Sequence, residues 1–225
     1  MLDVVFQPQC IACARPAAIF CEPCAATLEG LGRACVRCAE PLDRGTATCA
    51  RCASAPLPLD QIVAPWRFGG QLAVAIRRLK FTGRTYVARS VAALWSPLVA
   101  AARGDDAVIV PVPLHWRRRF TRGFDHAWLL ALHACRDAEL PAPVPALRRV
   151  RAAPPQSTLS AADRRRNLDG AFAVRDRRIA GKPIVLVDDV VTTGATLAAC
   201  ARALLDAGAT RVTGVALARA TSDPG

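Results

Sequence analysis

The stretch from Lys182 to Leu197, Lys-Pro-Ile-Val-Leu-Val-Asp-Asp-Val-Val-Thr-Thr-Gly-Ala-Thr-Leu, constrains this chain more than any other. The short β-branched run Ile184 to Val187 predicts a strand buried on both faces, the situation of a strand inside a parallel sheet. It empties into two adjacent carboxylates, Asp188 and Asp189, and then into a small hydroxyl-rich turn. Past the turn, Leu197, Cys200, Ala201, Leu204, Leu205 and Gly208 recur at helical spacing. A helix therefore starts near Ala195, packs one face down and ends at Gly208.

The order strand, acid pair, turn, helix has a chemical reading. Ligands of parallel sheets bind at the carboxyl ends of strands, where a helix N-terminus offers unpaired N–H groups and a positive dipole end to an anion. Val190, Val191, Thr192, Thr193, Gly194, Ala195 and Thr196 are thus candidates to surround a phosphate. Asp188 and Asp189 precede them and can accept hydrogen bonds from vicinal hydroxyls one sugar-length away. The turn lacks the Gly-Lys-Ser/Thr ending of a nucleotide-triphosphate loop. The stretch closely resembles the phosphoribosyl pyrophosphate (PRPP) motif of type I phosphoribosyltransferases. The resemblance implies that the acids hold the ribose 2′ and 3′ hydroxyls and the loop holds the 5′-phosphate.

A second feature lies at the other end. Eight of the ten cysteines form four Cys-x-x-Cys pairs, Cys10/Cys13, Cys21/Cys24, Cys35/Cys38 and Cys49/Cys52. Two intervening residues let both sulfurs face one ion, and two such knuckles complete a tetrahedral four-cysteine zinc site. Eight thiols imply two structural zincs. Sequential pairing is the simplest arrangement, and interleaving is also open. Some fifty residues with few large apolar side chains cannot build a core by burial, so the ions supply the folding energy. The fold expected is a zinc ribbon domain over residues 1–56, a Pro-rich connection, and an α/β domain over 61–221 built on a parallel sheet with flanking helices.

Charge divides at the same place. Residues 1–60 carry five Arg and six acids, and the remainder carries 25 basic and 12 acidic groups. The net +12 therefore belongs to the second part. Eight metal-bound thiolates and two zinc ions would take the first part from −1 to about −5. DNA affinity is accordingly expected in 61–225, and the ribbon is expected to dock a protein partner or brace the fold. No apolar run reaches the ~18 residues of a membrane span. The N-terminus lacks a basic start and apolar core, so no signal peptide and a cytoplasmic location are expected.

Between these landmarks, Gln61 to Phe68 predicts a strand, Gln71 to Phe81 a helix and Arg84 to Ala102 a second helix. Lys80, at the end of the first helix, is either solvated or a ligand group. Ala107 to Val110 predicts another buried strand. It feeds a loop in which Trp116, Phe120 and Phe124 interleave with Arg117, Arg118, Arg119 and Arg122, a mixture suited to pyrophosphate or to the bases and backbone of single-stranded DNA. Asp125 can cap a helix whose packed face includes Cys135. A short strand within Val144 to Val150, a mobile lid over 151–167, an edge strand from Ala171 to Val174 and a last strand from Arg211 to Ala218 complete the expectation.

Taken together the chain resembles the ComF family, associated with DNA uptake in competent bacteria. The resemblance rests on the four Cys-x-x-Cys pairs, Leu79-Lys80-Phe81, Val110-Pro111-Val112-Pro113-Leu114, Arg122-Gly123-Phe124, Gln156-Ser157 with Arg165-Arg166-Asn167, and the Asp188-Asp189 motif. It implies PRPP or a related phosphorylated ribose as ligand, magnesium bound with it, and Asp188 and Asp189 as the residues of a phosphoribosyl transfer. Arg117, Arg118, Arg122 and Lys80 are then candidates around the pyrophosphate. Family members usually continue Arg-Gly-Phe with Asn-Gln, where this chain has Asp125-His126.

Overall fold

A computed structural model describes residues 9–17, 19–42, 45–81, 86–114, 125–150 and 170–221. Among them the main sheet comprises β1 (Gln61–Val63), β2 (Trp66–Arg67), β3 (Val108–Pro111), β6 (Pro183–Val191) and β7 (Arg211–Arg219), all parallel, in the order β1-β7-β6-β3 with β2 also beside β7. β4 (Leu147–Arg149) and β5 (Phe172–Val174) form a separate antiparallel pair. The helices are α1 (Glu22–Ala25), α2 (Ala50–Ser54), α3 (Gly70–Phe81), α4 (Tyr86–Ala93), α5 (Ser96–Arg103), α6 (His126–Asp137) and α7 (Ala195–Asp206).

β6 is apolar on both faces because both are covered. Ile184 and Leu186 pack with Leu197, Cys200, Ala201 and Leu204 of α7. Val185 and Val187 pack with Leu72, Ile76, Trp95 and Leu130 on the opposite side. The period of two along the strand thus serves two cores, which is why the run shows no polar alternation. Cys135 and Cys200 are fully buried members of these cores, as expected of small apolar residues.

Three elements depart from expectation for local reasons. Gln61 to Phe68 is one edge position in two pieces: Ile62 pairs with Gly214 and Trp66 with Ala218 at an unchanged offset, but Ala64-Pro65 interrupts the ladder. Pro65 has no N–H to give, and its carbonyl accepts the Leu31 N–H at 2.9 Å. The stretch 84–102 is two helices, because Pro97 lies in the first turn of α5 and cannot continue α4. Finally, 172–174 pairs with β4 and not with the main sheet.

The cysteine-rich region covers the open edge of the sheet. The N–H of Ile62 donates to Arg37 O at 3.0 Å, and that of Arg67 to Glu29 O at 2.8 Å. Gly30 bridges Trp66 in antiparallel fashion. Ile11 joins one core of the sheet, while Leu31 and Ala39 join the other. An exposed parallel edge would present a row of unpaired N–H and C=O groups, and these contacts satisfy it.

Candidate functional site

β3 ends before β6 does. The Val112 N–H still reaches Val187 O at 2.9 Å, but Pro113 has no N–H with which to continue. β6 therefore runs on beside β7 alone, with Asp188 paired to Ala216 and Val191 to Arg219. The acid pair thus belongs to the strand, one step past the end of its neighbour. The Asp189 N–H, which has lost β3 as a partner, donates to Asp188 Oδ1 at 2.9 Å.

The two carboxylates have different surroundings. Asp189 is buried, and its Oδ2 lies 2.7 Å from Lys80 Nζ and 3.0 Å from His126 Nε2. Burial works against its charge, but the His126 and Lys80 contacts outweigh burial and hold the carboxyl below the usual range. Asp188 is half-buried and makes no ion pair among the described residues. Burial, then the charge of Asp189, push it up to about 7. The pair thus holds one committed negative charge and one carboxyl poised to ionise when hydroxyl donors or a cation arrive.

Lys80 is accordingly an ion-pair partner of Asp189. His126 occupies the position at which the chain departs from Asn-Gln. The preceding Asp125 caps α6 through Oδ1 to the Trp128 N–H at 3.2 Å, and its Oδ2 accepts the Leu114 N–H at 3.3 Å. One carboxylate thereby ties the end of the loop after β3 to the start of α6, and α6 carries His126 to Asp189. Sequence reasoning gave Asp125 as a helix cap and marked His126 only as part of a departure; a buried acid needing a second hydrogen-bond donor was the signal available. Arg117, Arg118 and Arg122, the aromatic residues among them and the 151–167 segment lie outside the described residues.

The turn after β6 is Thr192 to Gly194. Gly194 has φ 77°, and a Cβ there would lie 3.1 Å from Leu57 Cδ1 and 3.2 Å from Ile62 Cδ1. Only glycine fits both the backbone and the space. Thr193 Oγ1 accepts the Ala195 N–H at 3.3 Å, and Gly194 O accepts the Ala198 N–H, opening α7. No acid occupies the first turn of α7, so no carboxylate of that turn competes with an anion. Thr192 is exposed, Thr193 and Thr196 are half-buried, and Gly194 and Ala195 are buried. Val190 is half-buried in the strand, and Val191 points into the core while its carbonyl accepts the Ala220 N–H.

The eight cysteines form two clusters in sequential order, Cys10, Cys13, Cys21 and Cys24, and Cys35, Cys38, Cys49 and Cys52, the four sulfurs of each lying within 4.8 Å of one another. Cys13 and Cys21 sulfurs are 3.4 Å apart, and Cys38 and Cys49 sulfurs 3.6 Å. A tetrahedron with Zn–S bonds of about 2.3 Å has edges of about 3.8 Å, so the donor sets fit zinc. The backbone repeats as well. Cys10 N–H donates to Arg15 O and Cys35 N–H to Glu40 O, each at 2.7 Å. Ala14 and Ala39 both take positive φ, and Cys21 and Cys49 both cap short helices. Burial opposes ionisation of Cys10 and Cys35, but N–H donors from neighbours outweigh it and lower the two thiols to about 6 and about 7.

A parallel sheet with an acid pair and a glycine turn at the carboxyl end of its central strand defines a protein with a phosphoribosyltransferase-type domain. The family model described as phosphoribosyl transferase domain matches residues 138–224. Similarity to curated proteins extends further. DNA utilization protein YhgH of Escherichia coli O157:H7 is 37% identical over 168 residues, covering 70% of this chain and 71% of that protein. Competence protein F of Haemophilus influenzae is 33% identical over 168 residues, covering 72% and 73%. Competence protein ComFC of Bacillus subtilis is 29% identical over 153 residues, covering 68% and 61%. The chain belongs to the ComF family. Among the described residues no helix is long and apolar enough to cross a membrane.

Proposed function

We propose that this chain binds PRPP or a related phosphorylated ribose at the end of β6. The observation that carries the reading is the division of labour in the acid pair: Asp189 is engaged internally by the Lys80 cation and the His126 ring, which leaves Asp188 to accept ribose hydroxyls. The 5′-phosphate sits against Thr192 to Thr196, where the first-turn N–H groups of α7 and the threonine hydroxyls donate to it. Magnesium, for which the Asp188 carboxyl is a suitable hard oxygen donor, would share oxygens with the ligand and neutralise pyrophosphate charge. Arg117, Arg118 and Arg122 are assigned to the pyrophosphate by family resemblance.

In transfer, an acceptor nucleophile forms a bond to C1 of the ribose while the bond from C1 to pyrophosphate breaks and that electron pair leaves with pyrophosphate. The protein needs no nucleophile of its own. Asp188, ionised in the loaded site, fixes the ring and offsets the positive charge that builds on it, and Asp189 is kept in register by Lys80 and His126. Calorimetry with PRPP and magnesium on wild type and Asp188→Ala tests the ligand, and equal heats from both would refute it. Pyrophosphate release from PRPP against a panel of bases tests transfer; release with no base in the panel returns the site to a binding role.

The names of the relatives and the charge of residues 61–225 favour a role in DNA uptake and natural transformation, with single-stranded DNA as a second ligand of the full chain. Binding should weaken steeply with salt, and its absence at low salt would remove that role for this protein. The cysteine region spends its inner side on the sheet, so a protein partner would meet its outer side, where Val36 is exposed.

A further inference from the structure

The two cysteine modules repeat in backbone but not in the residues between their ligands. Where the first has Ala12, Arg15 and Pro23, the second has Arg37, Glu40 and Arg51. All three residues of the second module reach out of it, Arg37 to the connection before β1 and Glu40 and Arg51 to the sheet domain. Arg37 Nη2 donates to Leu59 O at 2.8 Å. Glu40 pairs with Arg219, a fully buried residue at the end of β7 whose Nη1 also donates to Cys38 O at 2.8 Å. Arg51, between Cys49 and Cys52, donates from Nη1 to the carbonyl of Thr193 at 3.0 Å.

That last contact falls on the phosphate turn itself. By engaging the Thr193 carbonyl from behind, Arg51 fixes the peptide that precedes Gly194, and with it the direction of the N–H groups that follow. Leu57 supports the same spot: it packs against the Cys35/Cys38/Cys52 cluster on one side and stands 3.1 Å from where a Gly194 Cβ would be on the other. The other end of the guanidinium faces the metal ligands. Its Nη2 is buried without a hydrogen-bond partner, and the residue itself is the chain neighbour of the ligand Cys52 and two positions from Cys49. One planar fork thus spans a thiolate cluster and a turn carbonyl, which a lysine cannot do.

We infer that Arg51 is a positioning residue that couples the second four-cysteine centre to the Thr192–Gly194 turn, so that metal in that centre, and not in the first, holds the phosphate site in shape. The inference rests on the reading of this turn as a phosphate site for its consequence in binding, but the coupling itself is read without ligand.

Amide hydrogen exchange of the peptide spanning Thr193 to Leu197 is measured on the full-length zinc-loaded chain, for wild type, Arg51→Lys, Arg51→Met and Pro23→Ala, with zinc counted by native mass. The Lys variant keeps a cation beside the sulfurs and therefore two zincs. Losing a charge-assisted bond at a turn should speed local exchange about tenfold in Arg51→Met and less in Arg51→Lys, with Pro23→Ala unchanged. Ribose 5-phosphate affinity should fall about tenfold in Arg51→Met. Wild-type exchange rates in both Arg51 variants, or equal acceleration in Pro23→Ala, overturns the inference. Faster exchange in a chain whose wild type binds neither ribose 5-phosphate nor PRPP sustains the coupling and overturns the phosphate reading instead.

Discussion

Replacing Asp188 by asparagine should make this protein more stable at pH 8. The amide can keep the short contact in which Oδ1 accepts the Asp189 N–H, so the change removes a titrating charge and little else. In the folded chain burial and Asp189 raise Asp188 from 3.8 to about 7. Between those values the folded state binds more protons than the unfolded one, so wild-type stability falls as pH rises through this window. The full shift converts to a ceiling of about 4 kcal/mol at 1.36 kcal/mol per unit. Asp188 is half-buried and solvent relaxes around it, so about 2 kcal/mol is expected. Urea unfolding at fixed zinc between pH 5.5 and 8, above the range where protons strip thiolate ligands, reads it directly. Asp188→Asn should flatten the pH slope and gain about 2 kcal/mol at pH 8 while losing affinity for ribose 5-phosphate, the stability cost of a functional acid. An unchanged slope, or a variant less stable than wild type at pH 8, would refute the account of the acid pair.

Three other perturbations test neighbouring parts of the structure. Lys80→Met removes the lysine cation from buried Asp189 and should cost about 2–4 kcal/mol, the lower end reflecting partial exposure of Lys80. Because the folded pKa of Asp189 is lowered, its own stabilisation is complete above the unfolded value of 3.8 and lost only below it, but Lys80 also lowers Asp188, so the deficit should persist at pH 5.5 and widen towards pH 8 in the same urea assay. Gly194→Ala forces alanine into φ 77° against Leu57 and Ile62 and should cost about 2–3 kcal/mol with a tenfold loss of ribose 5-phosphate binding by calorimetry. Native mass should show two zincs, and stripping them with a chelator should collapse the thermal transition, since thiolate-bound zinc supplies most of the folding energy of such modules.

The sequence was most legible where one physical requirement acted alone. A strand buried on both faces, Ile184 to Val187, could be read from its unbroken apolar run, as could α7 from its 3.6-residue period and α6 from its Asp125 cap. Cys-x-x-Cys spacing announced the metal clusters. What escaped were features set by two distant segments at once. Nothing near Pro65 says that its carbonyl serves Leu31, and the extension of β6 through Asp188 and Asp189 depends on β3 stopping at Pro113. Lys80 read more readily as a solvated helix end than as a ligand group because its partner lies over a hundred residues away. His126 stood out only as an irregularity in a familiar motif, and Arg51 as a spacer between ligands. Their roles come from packing, which local periodicity does not encode.

The sealed sheet edge also sets an order of events during synthesis. β1, at residues 61–63, pairs with β7 at 213–215, so the edge strand meets its partner only when the C-terminus has been made. At 5–20 residues per second, translation of the intervening 150 or so residues takes roughly 7–30 s. For that interval the nascent chain holds a strand with no sheet to join. The cysteine modules precede it, and their ligands are contiguous in sequence, so they can take up zinc locally and early while every contact of the main sheet is still remote. Already folded, with Arg37 beside the start of β1, they would shield that strand from other chains until β7 arrives. The metal centres would then serve as the chain's own escort through its slowest step of assembly.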